Sequence, residues 1–118
     1  MIQRGDVVIV RFPYAGGKGS KVRTAVVVQC DRLNQKLHNT LLAMISGNTR
    51  LVGKEPTQFL IDPTRSEGAS SGISYASAAK CENLATIPQA EIVKTIGRLS
   101  DILTRKLNDC LKAALELP

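Results

Sequence analysis

The sequence predicts an α+β, mainly β domain: a small antiparallel half-open barrel with a C-terminal helix on one side. Three observations predict it. Short apolar runs rich in β-branched residues recur between turn residues. One stretch near the C-terminus carries an unbroken helical stripe. No linker, repeat or shift of composition divides the 118 residues, so residues 1–118 read as one domain.

The elements follow in order. Gly5 and Asp6 turn into a first strand, Val7 to Phe12, and Pro13 ends its regular pairing for want of an N–H. Ala15 to Lys21 is a glycine-rich basic loop. It matches no phosphate cradle, because a β-branched run rather than a helix follows it. The second strand, Val22 to Gln29, is nearly continuous in valine and fits burial on both faces. Cys30 to Asn34 reads as a polar turn. Asn39 to Ile45 is the third strand, ending at Ser46 and Gly47.

Residues 50–56 form a second basic loop, Thr57 to Ile61 a short strand, and Thr64 to Gly72 a polar loop. Ile73 to Lys80 and Cys81 to Ile87 read as two successive strands, and Pro88 to Ile92 as one helical turn. Val93 to Leu99 is the last strand. Ser100 caps a helix from Asp101 to about Leu117. Leu103, Leu107, Cys110, Leu111, Ala114 and Leu115 share one face of that helix, which suits packing on the sheet. Arg105, Lys106 and Lys112 fall on its solvated side.

Composition narrows the chemistry. The net charge is +6, and residues 1–24 hold Arg4, Arg11, Lys18, Lys21 and Arg23 against Asp6 alone. That excess around a loop points to a polyanionic partner. Aromatics are few (Phe12, Tyr14, Phe59 and Tyr75, with no tryptophan), so a platform stacking many bases is not available. Cys30, Cys81 and Cys110 are odd in number and widely spaced, and His38 is the only histidine. No metal site and no disulfide framework is expected; the cysteines read as buried thiols in a reducing compartment. No apolar run approaches the ~20 residues of a membrane span, and the first residues carry no export signal. A cytoplasmic protein without membrane contact is expected.

Two residues of suitable type stand at strand–loop junctions: Arg23 at the start of the second apolar run and Ser46 at the end of the third strand. Metal-free RNA cleavage needs the 2′-hydroxyl deprotonated, the phosphorane charge stabilised and the leaving oxygen protonated. A guanidinium at the phosphate supplies the second, and a serine hydroxyl can hydrogen-bond the phosphate. With one histidine placed among surface residues, an imidazole proton shuttle is not expected.

Five segments in order, RGDVVIVRF, GGKGSKVRTAVVVQ, LLAMISGN, SGISYASAAKCENLATIP and IVKTIGRLSD, together resemble the MazF/PemK family of type II toxin–antitoxin endoribonucleases. The resemblance spans nearly the whole chain. It implies an SH3-like barrel, a homodimer and sequence-specific, metal-independent cleavage of single-stranded mRNA, which halts translation and growth. It implies no cofactor. It also implies a cognate antitoxin whose segment occupies the RNA groove, with DNA bound only by the toxin–antitoxin complex.

The family's arginine falls on Arg23 and its hydroxyl residue on Ser46, which makes these the catalytic candidates. RNA contacts are expected at Gly17, Lys18, Ser20, Lys21, Thr24, Asn48 and Asn83. Thr24 stands where the family usually has proline, Ser46 where it often has threonine, and the loop has lysines in place of a Glu-Gln pair. Two other readings share the barrel: a CcdB-like non-enzymatic gyrase poison, and a catalytically inactive RNA-binding module. The C-terminal Ala113-Ala114-Leu115-Glu116-Leu117-Pro118 lacks the Trp-Gly-Ile ending expected of the gyrase poison.

Overall fold

The apolar runs become strands because each has to bury side chains on both of its faces. The computed structural model describes residues 1–13 and 18–118. The strands are β1 (Asp6–Pro13), β2 (Ser20–Val27), β3 (Asn39–Ser46), β4 (Gln58–Ile61), β5 (Ser77–Pro88) and β6 (Ile92–Arg98). Helix α1 (Asp31–Lys36) joins β2 to β3, and α2 (Asp101–Leu115) closes the chain. The strands form one antiparallel sheet in the order β4-β5-β3-β2-β1-β6. β4 and β6 lie at its edges, so the barrel stays open. No helix among the described residues is long and apolar enough to cross a membrane.

Neighbouring residues of each run feed different cores. Val7, Val26, Ala43 and Ile45 pack with Phe59 and Ile61, under Leu103, Leu107 and Cys110 of α2. Val8, Val10, Ala25, Val27, Leu42 and Met44 form a second cluster on the other face, with Ile87. This is the alternation that a run buried on both sides requires. Burying side chains such as Leu103 and Leu107 contributes ~1.5–3 kcal/mol each. Val26 and Val27 of β2 are covered by their own chain, whereas Val22, nearer its start, stays exposed.

A bulge shapes the far side. Met44 pairs with Lys80, but its neighbour Ala43 pairs with Leu84, so Cys81, Glu82 and Asn83 have no partners on β3. The two strands expected over Ile73–Lys80 and Cys81–Ile87 are therefore one bent strand beginning at Ser77. The bulge interrupts the period-2 pattern, which is why the sequence looked broken there. Residues 73–76 belong to no strand.

Three further expectations are corrected. The polar turn at Cys30–Asn34 opens into helix α1, held by tertiary contacts around buried Asn34. Thr40 Oγ1 and Gln29 Nε2 donate to Asn34 Oδ1 (2.7 and 3.0 Å), and Gln89 Nε2 donates to the Asn34 carbonyl (2.8 Å). The loop at Thr64–Gly72 contains a 3-10 turn, Ser66–Ser71. Cys30 is exposed, whereas Cys81 and Cys110 are buried as expected.

Helix α2 follows the sequence closely. Ser100 Oγ accepts from the Leu103 N–H (3.2 Å) and donates to the Glu67 carbonyl (2.7 Å), capping the helix and tying it to the 3-10 turn. The helix ends at Leu115, whose side chain is exposed rather than part of the buried stripe.

Candidate active site

β2 and β3 part company at one end, and the two catalytic candidates, Arg23 and Ser46, lie at that fork. β2 stays paired to β1 as far as Ser20, and β3 stays paired to β5 as far as Ser46. Between β2 and β3, only Ala25↔Met44, Val26↔Ala43 and Val27↔Leu42 are paired. Arg23 stands two residues beyond the last rung on one arm, and Ser46 two residues beyond it on the other. Strand alternation puts both on the face of Ala25 and Met44. Lys21 follows on the same face of β2, opposite Phe12.

Arg23 is exposed, and Ser46 is half-buried opposite Ala78. Ser46 Oγ accepts from the Asn48 N–H (3.1 Å), which leaves the O–H to donate away from the turn. Asn48 Oδ1 accepts from the Arg50 N–H (3.1 Å), so the side chain holds the turn and its amide nitrogen points elsewhere. Lys18, Ser20 and Lys21 are exposed at the hairpin end. Gly17 lies outside the described residues. Asn83 is exposed in the β5 bulge, next to the Ala43↔Leu84 rung, several residues along the sheet from Ser46.

The basic patch is smaller than the sequence implied. Arg4 is taken up structurally: its Nε donates to the Val28 carbonyl (2.9 Å) and a terminal nitrogen to Asn108 Oδ1 (2.8 Å). Arg11 lies 4.0 Å from Glu91 in an exposed pair. Lys18, Lys21 and Arg23 remain as the exposed cations on and beside β2.

A cleft of about 240 Å³ opens on the opposite face of the fork. Thr24, beside Arg23, and Gly47, beside Ser46, both line it. Of the expected site residues that lie among the described ones, only Thr24 lines this cleft. Tyr75, Ser77 and Lys94 also line it, and sequence reasoning missed all three. Tyr75 and Ser77 had one signal, a lone aromatic set among serines and alanines in a stretch without pattern, SYASA; Lys94 had none.

The comparisons with known proteins agree with this architecture. Residues 3–115 match the model of a family described as PemK-like, MazF-like toxin of type II toxin–antitoxin system. The chain belongs to this family of toxins. It is 26% identical, over 99% of its length and 98% of the relative's, to the endoribonuclease MazF9 of Mycobacterium tuberculosis.

Solved MazF-type structures share the fold. A mycobacterial endoribonuclease, solved in complex with its cognate antitoxin, superposes with a TM-score of 0.78 at 18% identity, covering 100% of this chain and 98% of that one. The M. tuberculosis toxin MazF-mt6 gives 0.73 at 22% identity, covering 94% and 98%. A MazE–MazF structure from Deinococcus radiodurans gives 0.73 at 12% identity, covering 99% and 97%. Among the described residues of this MazF-like chain, no cluster of three or more His, Cys, Asp or Glu is grouped to hold a metal ion.

Proposed function

We propose that the chain is the toxin of a type II toxin–antitoxin pair and acts as a sequence-specific endoribonuclease on single-stranded mRNA, stopping translation and growth. The observation that carries this reading is the placement of Arg23 and Ser46 on one face of the fork, at matching distances beyond the Ala25↔Met44 rung. The family match favours it over the gyrase-poison reading.

The chemistry follows from the two side chains. A scissile phosphate between the arms meets the Arg23 guanidinium, whose planar donors match two phosphate oxygens and offset the charge that builds on the phosphorane. The Ser46 O–H donates to a phosphate oxygen and fixes its orientation for in-line attack by the 2′-hydroxyl. Protons move between the 2′-oxygen, the 5′-leaving oxygen and groups at the site, with no bound metal required. Lys18, Ser20, Lys21 and the loop glycine Gly17 track the backbone on the hairpin side. Thr24, Asn48 and Asn83 supply hydrogen bonds toward bases.

The same face is where a cognate antitoxin segment would block RNA. A homodimer is supported by exposed apolar Val22 and Val93, on strands that flank β1. The protein works in the cytoplasm, and DNA contact belongs to the toxin–antitoxin complex.

The experiment is cleavage of a long single-stranded RNA in EDTA, with mapped ends. Wild type cuts at a defined short motif. Arg23→Ala reduces cutting by about 100-fold or more, with unfolding unchanged. Full activity in Arg23→Ala removes the assignment. Sedimentation at micromolar concentration checks the dimer.

A further inference from the structure

The cleft behind the fork has the features of a site for one unstacked base. Tyr75 is 66% exposed, an unusual position for an aromatic that neither core employs. It is nonetheless held in place. The Ser77 hydroxyl donates to the Tyr75 carbonyl (2.9 Å), anchoring the residue to the start of β5. The ring lies over Gly47, where a side chain would press on it: a Cβ at 47 would sit 3.2 Å from Tyr75 Cε2. One edge of the ring is thus set against the backbone that follows Ser46, and the rest is presented to solvent.

Polar groups line the same cleft as this ring. Lys94 projects from β6, opposite Ile9, and makes no ion pair among the described residues. Thr24 brings a hydroxyl from the β2 arm, and Ser74 adds one beside the ring. At about 240 Å³ the cleft is below the ~300 Å³ at which drug-sized pockets begin, so it suits a single base rather than a stacked pair.

We propose that Tyr75 is the base-stacking residue of a one-nucleotide subsite for single-stranded RNA, with Lys94 contacting that nucleotide's phosphate or base edge. The inference rests on reading the chain as an RNA nuclease, because Thr24 and Gly47 link the cleft directly to Arg23 and Ser46. Aromatic–base stacking tolerates every base, so Tyr75 supplies affinity. Thr24 and Ser74 supply the base preference. A nucleotide adjoining the scissile phosphate would pass around the end of the fork, where β2 and β3 are no longer paired.

The test uses the chain's own fluorescence. It has no tryptophan and two tyrosines, so Tyr14→Phe leaves Tyr75 as the only reporter. A short RNA containing the cleaved motif, with a 2′-deoxy or 2′-O-methyl block at the cut, is titrated into the full-length protein. Saturable quenching of Tyr75 is expected. Tyr75→Ala weakens RNA binding on the order of tenfold or more, whereas Tyr75→Phe retains it within about threefold. Lys94→Ala weakens binding and flattens its salt dependence by about one unit of slope. Thermal unfolding of each variant controls for folding.

An unquenched Tyr75 at saturating RNA overturns the proposal. So does Tyr75→Ala with unchanged RNA affinity and KM, or a cleft that answers an antitoxin peptide but no RNA. The two readings fail separately. Loss of cleavage in Arg23→Ala with a silent Tyr75 leaves the nuclease and removes the subsite. Quenching by RNA without any cleavage removes the nuclease and leaves the subsite.

Discussion

Gly47 lies against the ring of Tyr75, close enough that a Cβ at 47 would come within 3.2 Å of Cε2. The obstacle is the far end of an exposed side chain rather than backbone, so Gly47→Ala should shift the ring at under ~1 kcal/mol of stability. Gly72, on the other side of the same cleft, behaves differently. It has φ +75°, and a Cβ there would run into the Ile96 carbonyl, which is backbone. Gly72→Ala should cost about 3 kcal/mol or more. Urea unfolding of the two variants side by side checks this; equal midpoints would contradict it.

Arg4 and the hairpin cations should separate cleanly. Arg4 joins the first turn to the end of the β2 segment and to α2 through its bonds to Val28 and Asn108. Arg4→Ala should lose about 2–3 kcal/mol, the scale of hydrogen bonds made by a charged donor. Its RNA affinity should keep the wild-type salt slope. Lys18→Ala and Lys21→Ala should unfold like wild type and each reduce that slope by about one. A flattened slope in Arg4→Ala would return Arg4 to the binding patch.

The three thiols should react in two classes. Burial pushes Cys81 up to about 12, with Cys110 and Glu82 adding to the effect and Arg4 opposing it. Burial, then Asp109, raises Cys110 as well. Neither holds a useful thiolate fraction at neutral pH, whereas Cys30 is exposed. A thiol reagent at pH 7.5 should label one equivalent quickly and the other two only on unfolding. Rapid labelling of two or more in the native protein would refute this burial pattern.

Glu82 should contribute a small acid-sensitive increment. Burial works to raise its carboxyl, but donation from Gln58 Nε2 (2.6 Å) and Thr57 Oγ1 (2.9 Å), with Lys80 nearby, outweighs burial and holds it below its ordinary 4.5. A carboxyl lowered in the folded state stabilises above its unfolded value and loses that contribution as pH falls through the folded one. The group is exposed, so solvent screening keeps the effect well under ~1 kcal/mol. Melting temperatures from pH 7 down to pH 3 should fall less steeply for Glu82→Gln than for wild type. Parallel curves would assign the acid loss to other carboxyls.

Much of the fold was readable because local chemistry and tertiary structure demanded the same thing. The two valine runs could only be strands buried on both faces, and Val7–Val10 and Ala25–Val28 divide between two cores accordingly. The α2 stripe and the Ser100 cap are local properties of a helix, and both appear. Ser46 could be placed at a strand end from the turn residues after it, whereas Arg23, expected at a strand start, lies inside β2 opposite Val10.

The tertiary structure decided what local pattern does not encode. Helix α1 has no apolar stripe; it forms because Asn34 finds partners in Gln29 just before the helix, Thr40 of β3 and Gln89 just after β5. The three-residue bulge in β5 merges two apparent strands into one, since its cause lies in the pairing with β3. Arg4 looked like a surface cation until Val28 and Asn108 were seen to hold it. The sequence by itself determined the strands, the helix and the residue types available for phosphate chemistry. Only the folded chain decided that β2 and β3 separate after Ala25 and Met44, with Arg23 and Ser46 on one face and Tyr75 and Lys94 on the other. Register and strand divergence arise from contacts between residues distant in sequence, and no local periodicity records them.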